Sequence, residues 1–253
     1  MGRILAIVNQ KGGVGKSTTA VNLGAYLADA GKRVLLIDMD PQGNATSGVG
    51  RKAPGQAGMY DVLIGERRLG EIAVQTDVER LAVAPASIDL AGAEVELVGA
   101  MAREMRLRDA LAPARDEYDY LIIDCPPSLG LLTVNGLVAA DAVLVPIQTE
   151  YYALEGLSQL VSTIEMVRQH LNPALEIEGV LLTMFDSRTN LSQQVADDVR
   201  VFFAGRVRVF DSVIPRNVRL SEAPSFGQPI SRYDERSRGA EAYRELAREV
   251  LSA

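Results

Sequence analysis

The sequence predicts an α/β fold with a doubly wound, mainly parallel β-sheet and helices on both of its faces. Seven strand-like apolar segments alternate with helical patterns along the chain, and four of these segments are continuous apolar runs. Strands buried on both faces have such runs, because helices cover a parallel sheet on each side. A glycine-rich turn between the first strand and the first helix gives such a sheet a ligand site at its carboxyl edge.

Each predicted element follows from its local apolar pattern. The predicted strands are Ile4–Val8, Val34–Asp38, Leu81–Pro85, Tyr120–Asp124, Ala142–Ile147, Val180–Met184 and Val209–Ile214. The predicted helices are Thr18–Ala30, Leu107–Ala114, Leu131–Ala139, Leu154–His170, Leu191–Phe203 and Arg238–Leu251. Asn190 and Ser237 are the predicted N-caps of the last two helices. Residues 51–60 predict a surface loop, and no repeat or linker divides the chain, so residues 1–253 are expected to form a single domain.

Composition narrows the class of protein. The chain has 253 residues, is 47% apolar and carries a net charge of −7. No run approaches the roughly 20 apolar residues of a membrane span, and the first strand starts within three residues of Met1, which leaves no room for a signal peptide. The single cysteine, Cys125, excludes an internal disulfide and a multi-cysteine metal or cluster site within one chain. A cytoplasmic protein is the prediction.

The segment from Asn9 to Thr18 carries the strongest functional signal. It contains Gly-Gly-Val-Gly-Lys-Ser-Thr between a predicted strand and a predicted helix, which is the context of a phosphate-binding loop and predicts the Rossmann-like fold of P-loop NTPases. Lys16 brings a positive charge to the β- and γ-phosphates, and the Ser17 hydroxyl is placed to bind Mg²⁺. The usual pattern has glycine six residues before the lysine. Here that position is Gln10, and a second lysine, Lys11, follows it.

Acidic residues follow two of the continuous apolar strands. Asp38 ends Val34–Asp38, Asp40 comes two residues later, and Asp124 ends Tyr120–Asp124. P-loop enzymes use a carboxylate in such a position to hold Mg²⁺, directly or through water. Asp38 and Asp40 share side-chain parity on an extended chain, so both are expected to face the same crevice. Helix capping or turn formation by aspartate is the structural alternative for each.

Several motifs in order closely resemble those of the ParA/Soj chromosome-partitioning proteins, within the ParA/MinD ATPases. The leading Lys11 matches the deviant Walker A motif of that superfamily. The other matching motifs are Asp38-Met39-Asp40-Pro41-Gln42-Gly43-Asn44, Ile123-Asp124-Cys125-Pro126-Pro127-Ser128, Glu150-Tyr151-Tyr152-Ala153-Leu154-Glu155-Gly156 and Val213-Ile214-Pro215-Arg216-Asn217-Val218-Arg219. The resemblance extends from Ile4 to the C-terminus.

The resemblance implies a role for each matching residue of the nucleotide site. Lys11 would reach across an ATP-sandwiched dimer to the partner's phosphates, Asp40 would orient the attacking water, and Asp124 would act as the Walker B carboxylate through the water shell of Mg²⁺. Pro215 and Asn217 match the stretch that contacts adenine. The phosphates would be held by Lys16 and by the backbone of Gly12, Gly13, Val14, Gly15, Lys16, Ser17 and Thr18.

The resemblance also implies binding to DNA. Arg188 and Arg219 match positions that form a DNA-binding surface when two subunits come together. The stretch from residue 186 to residue 238 holds nine arginines and seven acidic residues within an otherwise acidic chain, although solvated helix faces explain such a stretch equally well. The expected protein is an ATPase of weak intrinsic activity, nucleoid-associated in the cytoplasm. Its ATP-dependent homodimer would bind double-stranded DNA without sequence preference, and a ParB/Spo0J-type partner would stimulate its hydrolysis of ATP.

Three other functions are tested against the same sequence. A MinD-like membrane-associated switch would need a C-terminal amphipathic helix with bulky apolar and basic faces, whereas residues 243–253 alternate charges and contain no Phe or Trp. A reductase that bridges a cluster between subunits needs two cysteines per chain, which this chain lacks. An ATP-dependent ligase of the same fold stays open, and it would show no dependence on DNA. Chromosomal or plasmid origin also stays open.

Overall fold

The computed structural model describes residues 1–52, 57–151, 153 and 157–252. Within these residues, eight strands form one sheet in the order β3-β4-β2-β5-β1-β6-β7-β8. The strands are β1 (Arg3–Ile7), β2 (Val34–Asp38), β3 (Val74–Gln75), β4 (Leu81–Ala84), β5 (Tyr120–Asp124), β6 (Ala142–Gln148), β7 (Glu176–Phe185) and β8 (Val209–Pro215). Every neighbouring pair is parallel except β3 and β4. The doubly wound, mainly parallel sheet and all seven predicted strands are confirmed, while the two-residue β3 is too short to leave a pattern.

Twelve α-helices lie in the described part of the chain. They are α1 (Lys16–Asp29), α2 (Asn44–Gly48), α3 (Met59–Ile64), α4 (Leu69–Ile72), α5 (Leu90–Glu96), α6 (Arg106–Leu111), α7 (Leu131–Ala139), α8 (Leu157–His170), α9 (Asn190–Phe203), α10 (Val218–Glu222), α11 (Ile230–Tyr233) and α12 (Arg238–Leu251). All six predicted helices are present. Residues 154–156 of the predicted Leu154–His170 helix lie outside the described residues, as do residues 53–56 of the predicted loop at 51–60.

Two local predictions need correction. Thr189, not Asn190, is the N-cap of α9, because the Thr189 hydroxyl accepts a hydrogen bond from the Ser192 N–H at 3.3 Å. Ser237 is confirmed as the cap of α12, with its hydroxyl 3.2 Å from the Ala240 N–H. The loop predicted over residues 51–60 also ends earlier than expected, since α3 starts at Met59.

Both faces of the sheet are buried. Along β1, Ile4 and Ala6 belong to the apolar cluster beneath α6, α7 and α8, whereas Leu5 and Ile7 belong to the cluster beneath α1 and α12. All four side chains are at most 1% exposed. An alternating polar face would therefore have left polar groups in a core without water. For this reason the sequences of these strands are continuous apolar runs.

The strand order brings the ends of β1, β2 and β5 together. β5 pairs with β2 on one side and with β1 on the other, and the register sets Asp124 beside both Asp38 and Ile7. The loop that follows β1 and the two strand-ending aspartates thus meet at one point of the carboxyl edge. Ligands of doubly wound sheets bind at such an edge.

A close contact between two backbone segments lies near this carboxyl edge of the sheet. Gly50, just after α2, and Gly227, just after the 3-10 turn Ala223–Phe226, both have positive φ, at +71° and +63°. A Cβ on Gly227 would lie 2.6 Å from the Gly50 Cα. The contact therefore fixes α2 against the segment that follows α10.

We expect Gly227→Ala to lower the free energy of unfolding by about 2–4 kcal/mol, because it combines left-handed strain with an overlap that the backbone must relieve. Gly205→Ala is the matched control, since Gly205 has φ +71° but a Cβ added there would have no atom within 4 Å. The control should cost about 1–2 kcal/mol. Denaturant unfolding measures both values, and equal losses would show that the contact with Gly50 contributes nothing.

Candidate nucleotide-binding site

The loop between β1 and α1 has the backbone that its glycines predict. Gly13 and Gly15 adopt φ +76° and +90°, where a side chain would be strained. Gly15 precedes the first turn of α1, and its carbonyl accepts a hydrogen bond from the Thr19 N–H at 2.8 Å. The loop lines a cleft of about 350 Å³ with Gly12, Lys16, Ser17 and Thr18. The N-terminus of α1 therefore opens on this cleft, an arrangement that favours an anion.

Residues outside the motif hold this loop in place. The Asn9 side chain donates to the Pro146 carbonyl of β6 at 2.7 Å and accepts from the Lys11 N–H at 2.9 Å. On the other side, the Thr183 hydroxyl of β7 donates to the Val14 carbonyl at 2.9 Å. Sequence reasoning missed Asn9 and Thr183 as supporting residues. The one available signal for Thr183 is a hydroxyl within an otherwise apolar strand.

The two lysines of the loop occupy different environments. Lys16 is 6% exposed, and its ammonium donates to the Lys11 carbonyl at 3.0 Å. Burial lowers the pKa of Lys16, while nearby acidic groups, Asp124 foremost, act in the opposite direction. Lys11 is exposed, is not among the residues that line the cleft, and has no ion-pair partner among the described residues. Only Lys16 is thus placed to bind a phosphate in the cleft of its own chain.

Asp124 is a buried carboxylate at the end of β5. It is 0% exposed, and neither of its oxygens has a partner within hydrogen-bonding geometry among the described residues. Burial is the main cause of its raised pKa, and the charge of Asp38 adds to the effect, while the nearby Ser17 hydroxyl and the Lys16 charge oppose it. An unpaired buried carboxylate is costly. A hydrated cation beside Ser17 would remove that cost, so this pair fits Mg²⁺.

The described residues contain no cluster of three or more His, Cys, Asp or Glu side chains that could hold a metal by themselves. Mg²⁺ does not require such a cage. It usually keeps several waters and binds one or two protein oxygens together with phosphate oxygens. The Ser17 hydroxyl and the orphaned Asp124 carboxylate are consistent with this donor set.

Asp38 is engaged by its own chain. Its carboxylate accepts hydrogen bonds from the Thr46 N–H and hydroxyl, both at 2.7 Å, and from the Asp40 N–H at 3.1 Å. Burial raises its pKa to about 6, although these hydrogen bonds lower it. The Thr46 hydroxyl also accepts from the Ala86 N–H at 3.0 Å. Asp38 therefore fixes α2 to the ends of β2 and β4, and its contact with Mg²⁺ stays a prediction.

Asp40 lines the cleft, but Asp38 does not. The expectation that both would face the crevice is wrong for Asp38, because Thr46 and the Asp40 N–H hold its carboxylate in the interior of the chain. Asp40 is 6% exposed, and its carboxylate accepts from the Gln42 N–H at 3.0 Å. Its position across the cleft from the loop fits the predicted role of orienting water.

A second cavity of about 510 Å³ adjoins the first and shares Gly15, Thr18, Met184 and Pro224 with it. Pro215 and Asn217 line this second cavity, and their contact with adenine stays a prediction. The side-chain amide oxygen of Asn217 caps α10 by accepting a hydrogen bond from the Arg219 N–H at 2.9 Å. Met184, at the junction, has φ +52°, an uncommon conformation for a residue with a side chain. Two joined cavities provide room for phosphates in one and a base in the other.

The two predicted DNA-contacting arginines lie outside both cavities. Arg188 follows β7, and its guanidinium pairs with Asp186 at 2.7 Å. Arg219 is in α10 and pairs with Glu222 at 2.8 Å. Both guanidinium groups are more than half exposed. The structure thus separates them from the nucleotide cleft.

The fold and the loop geometry define a P-loop nucleotide-binding protein. Residues 2–177 match the family model described as an AAA domain. The chain is 61% identical to the sporulation initiation inhibitor protein Soj of Bacillus subtilis (strain 168), covering 100% of this chain and 99% of that protein. It is 59% identical to the chromosome partitioning protein ParA of Myxococcus xanthus (strain DK1622), covering 99% and 88%. The chain belongs to the ParA/Soj family of chromosome-partitioning ATPases.

A solved structure of the same fold carries ligands. The cobyrinic acid a,c-diamide synthase of Mycobacterium smegmatis with bound ADP and magnesium matches with a TM-score of 0.87 and 42% identity, covering 99% of this chain and 94% of that one. The fold expected from the sequence is thereby confirmed over almost the whole chain.

Proposed function

We propose that this chain is an ATP-driven DNA-partitioning switch. Two subunits bind ATP and Mg²⁺, associate around the nucleotides, and as a dimer bind double-stranded DNA without sequence preference. Hydrolysis of ATP separates the subunits and releases the DNA. The identity with Soj and ParA supports the partitioning role, and the nucleotides in related structures support ATP and Mg²⁺ as cofactors.

The observation that carries this proposal is that Lys16 and Lys11 occupy different environments in the same loop. Lys16 is buried beside the loop of its own chain, whereas Lys11 is exposed and unpaired with any described carboxylate. Because Lys11 does not line the cleft of its own chain, we assign its ammonium to the phosphates of a second subunit. The site is then complete only in the dimer.

The proposed roles of the site residues imply that hydrolysis is slow and switchable. Phosphoryl transfer depends on positioning and on neutralising charge. In this proposal Lys16 and the loop N–H groups hold the phosphates, Asp40 accepts a hydrogen bond from the attacking water, and Ser17 and Asp124 would hold Mg²⁺. Mg²⁺ would supply charge neutralisation at the β- and γ-phosphates. The cation that completes the site comes from Lys11 of the second subunit, so hydrolysis is slow in a single subunit.

The proposed partner is a ParB/Spo0J-type centromere-binding protein that stimulates hydrolysis, and the proposed location is the nucleoid in the cytoplasm. Within the described residues, no helix is both long and apolar enough to cross a membrane. α12 ends in alternating charges, which does not favour the membrane-associated alternative. If ATP-dependent binding to anionic vesicles appeared in a co-sedimentation assay, that alternative would replace binding to DNA.

Light scattering with ATP, with ADP and without nucleotide tests this proposal. We expect twice the monomer mass with ATP and Mg²⁺ and the monomer mass in the other two states. A monomer in all three states would contradict the dimer switch. Since the Mycobacterium smegmatis relative is named as a synthase, ATP turnover that depends on a small carboxylic acid, with no response to DNA, would favour a ligase instead.

In Asp124→Asn, ATP should need a roughly 10- to 100-fold higher Mg²⁺ concentration to raise the midpoint of thermal unfolding. The reason is that the amide cannot stabilise the metal's water shell as the carboxylate does. The unfolding midpoint without nucleotide should not fall, since the substitution removes an unpaired buried charge. Burial raises the pKa of Asp124, so protons should compete with Mg²⁺ increasingly as the pH is lowered. Melting curves across a Mg²⁺ titration measure all three effects.

Asp38→Asn is the matched control for Asp124→Asn. It keeps the volume but weakens the hydrogen bonds with the N–H and hydroxyl of Thr46, so it should lower the midpoint in the absence of nucleotide. If both variants behaved alike, the separation between a metal-binding carboxylate and a structural one would be wrong.

A further inference from the structure

Three arginines form one exposed surface at the carboxyl edge of β6, β7 and β8, and each has an acidic partner. We call Arg188, Arg216 and Arg219, with Asp186, Glu150 and Glu222, the paired-arginine surface. The Arg216 N–H donates to the Phe185 carbonyl at 2.9 Å, which places Arg216 beside Asp186. Arg219 follows three residues later, in the first turn of α10.

The Arg188 pair is bidentate. Asp186 accepts from the Arg188 Nε at 2.9 Å and from a terminal nitrogen at 2.7 Å, and it also accepts from the Arg188 backbone N–H at 3.0 Å. The guanidinium of Arg188 lowers the pKa of Asp186 to about 2, so the carboxylate is fully ionised at neutral pH. Asp186 therefore occupies one of the two edges by which the Arg188 guanidinium could form a fork with a phosphate, the edge made by Nε and a terminal nitrogen.

The other two arginines also have carboxylate partners, through single hydrogen bonds. Glu222 accepts from Arg219 at 2.8 Å and from the Tyr233 hydroxyl at 3.0 Å, while Asp234 lies 3.4 Å from the Arg219 Nε. Arg216 donates to Glu150 at 2.9 Å. Hence each of the three arginines of the surface has a carboxylate partner, and Arg219 has Asp234 as a second one, so a DNA phosphate competes with a carboxylate at every arginine.

We propose that Asp186 and Glu222 compete with DNA phosphates for Arg188 and Arg219, and that this competition keeps a single subunit from binding DNA. The inference rests on the DNA binding proposed above and names the groups that regulate it. Each exposed pair is weak, so the phosphates of DNA can displace the carboxylates once a dimer offers two copies of the surface. The acidic partners thus determine how much affinity for DNA the dimer must gain over a single subunit before it binds.

The test is the affinity of Asp186→Asn/Glu222→Gln for a random-sequence duplex, measured by fluorescence anisotropy in the ATP state. Breaking an exposed ion pair costs about 0.2–1 kcal/mol. Releasing two pairs in each of two subunits should therefore tighten binding by roughly 4- to several-hundred-fold if the four contributions add. Both variants keep an acceptor for the neighbouring donors, the Arg188 N–H and the Tyr233 hydroxyl, so the local fold is preserved.

Asp119→Asn/Glu165→Gln is the matched control. Asp119 holds Arg33 through the same three donors, its Nε, a terminal nitrogen and its backbone N–H. Glu165 pairs with Arg168 across three residues of a helix, the same spacing as between Glu222 and Arg219, although the order of acid and base along the chain is reversed. The control changes the net charge by the same amount away from the paired-arginine surface, and its affinity should stay within about twofold of the wild type, as expected for screened distant charges.

A second control separates competition from simple repulsion of DNA by the two carboxylates. In an Arg188→Ala/Arg219→Ala background, Asp186→Asn/Glu222→Gln should give no gain, because no arginine is left to release. An equal gain in that background would overturn the inference and identify repulsion as the cause. If the wild type binds DNA through Arg219 but the acidic variants gain nothing, the inference fails and the proposed function stands. If no variant binds DNA in any nucleotide state, the proposed function itself fails.

Discussion

Lys11→Ala should bind ATP about as tightly as the wild type but fail to dimerise with it. Lys16 and the loop backbone form the cleft of each chain, whereas Lys11 is exposed and does not line it. Removing its ammonium leaves the phosphates of the second subunit without their trans cation. A cation supplied in trans accelerates phosphoryl transfer by roughly 10³- to 10⁵-fold in comparable enzymes. Partner-stimulated hydrolysis should fall accordingly, which single-turnover ATPase assays and sedimentation measure together.

Lys32→Ala is the control for Lys11→Ala. Lys32 lies after α1, close to the start of β2 and so at the opposite edge of the sheet, and its loss should change neither dimerisation nor hydrolysis. An ATP-dependent dimer of normal stability in Lys11→Ala would remove the trans role of that lysine. Loss of ATP binding itself would instead place Lys11 in the cleft of its own chain.

Asp40→Ala should trap the ATP-bound dimer on DNA. The carboxylate lines the cleft without contributing to the buried apolar core, so nucleotide binding and dimerisation should survive its loss. A positioned acid or base contributes roughly 10²- to 10⁴-fold to such reactions. Hydrolysis should slow by this factor, and the lifetime of the DNA complex should lengthen in parallel. Dissociation of DNA after dilution into excess ADP measures that lifetime.

Asp40→Asn tests separately whether hydrolysis requires the negative charge of Asp40. Its side-chain oxygen can still accept from the Gln42 N–H, which holds the turn in the wild type, but it lacks the negative charge that favours removal of a proton from water. We expect it to hydrolyse ATP as slowly as Asp40→Ala. Hydrolysis at the wild-type rate in both variants would exclude Asp40 from the chemistry.

The elements that position the site are predictable because their signals are local. Continuous apolar runs identify β1, β2 and β5, and Gly13 and Gly15 mark the two positive-φ positions of the loop. The sequence therefore predicts both the sheet and the residues that meet at its edge. The short helices α4 and α5, of four and seven residues, are not predictable in this way, because one or two turns are too short to show a helical period.

Partners distant in sequence could not be predicted in the same way. The Asp38 carboxylate meets Thr46 and Asp40 only because the chain turns after β2. Thr183 supports the loop from a strand 169 residues away from Val14. Similarly, a count of charges between residues 186 and 238 does not reveal that Arg188 and Arg219 are both occupied by carboxylates. These facts depend on tertiary packing, which the local pattern does not encode.

Binding to a random-sequence DNA duplex, measured with ATP, with ADP and without nucleotide at two salt concentrations, tests the central claim most directly. The account predicts binding with ATP alone, indifferent to sequence and weakened by salt, with a slope of about −0.9 in log K against log salt for each phosphate neutralised. Equal binding in all three nucleotide states would contradict the switch. Absence of binding in every state would leave a nucleotide-binding member of the family without the proposed role on DNA.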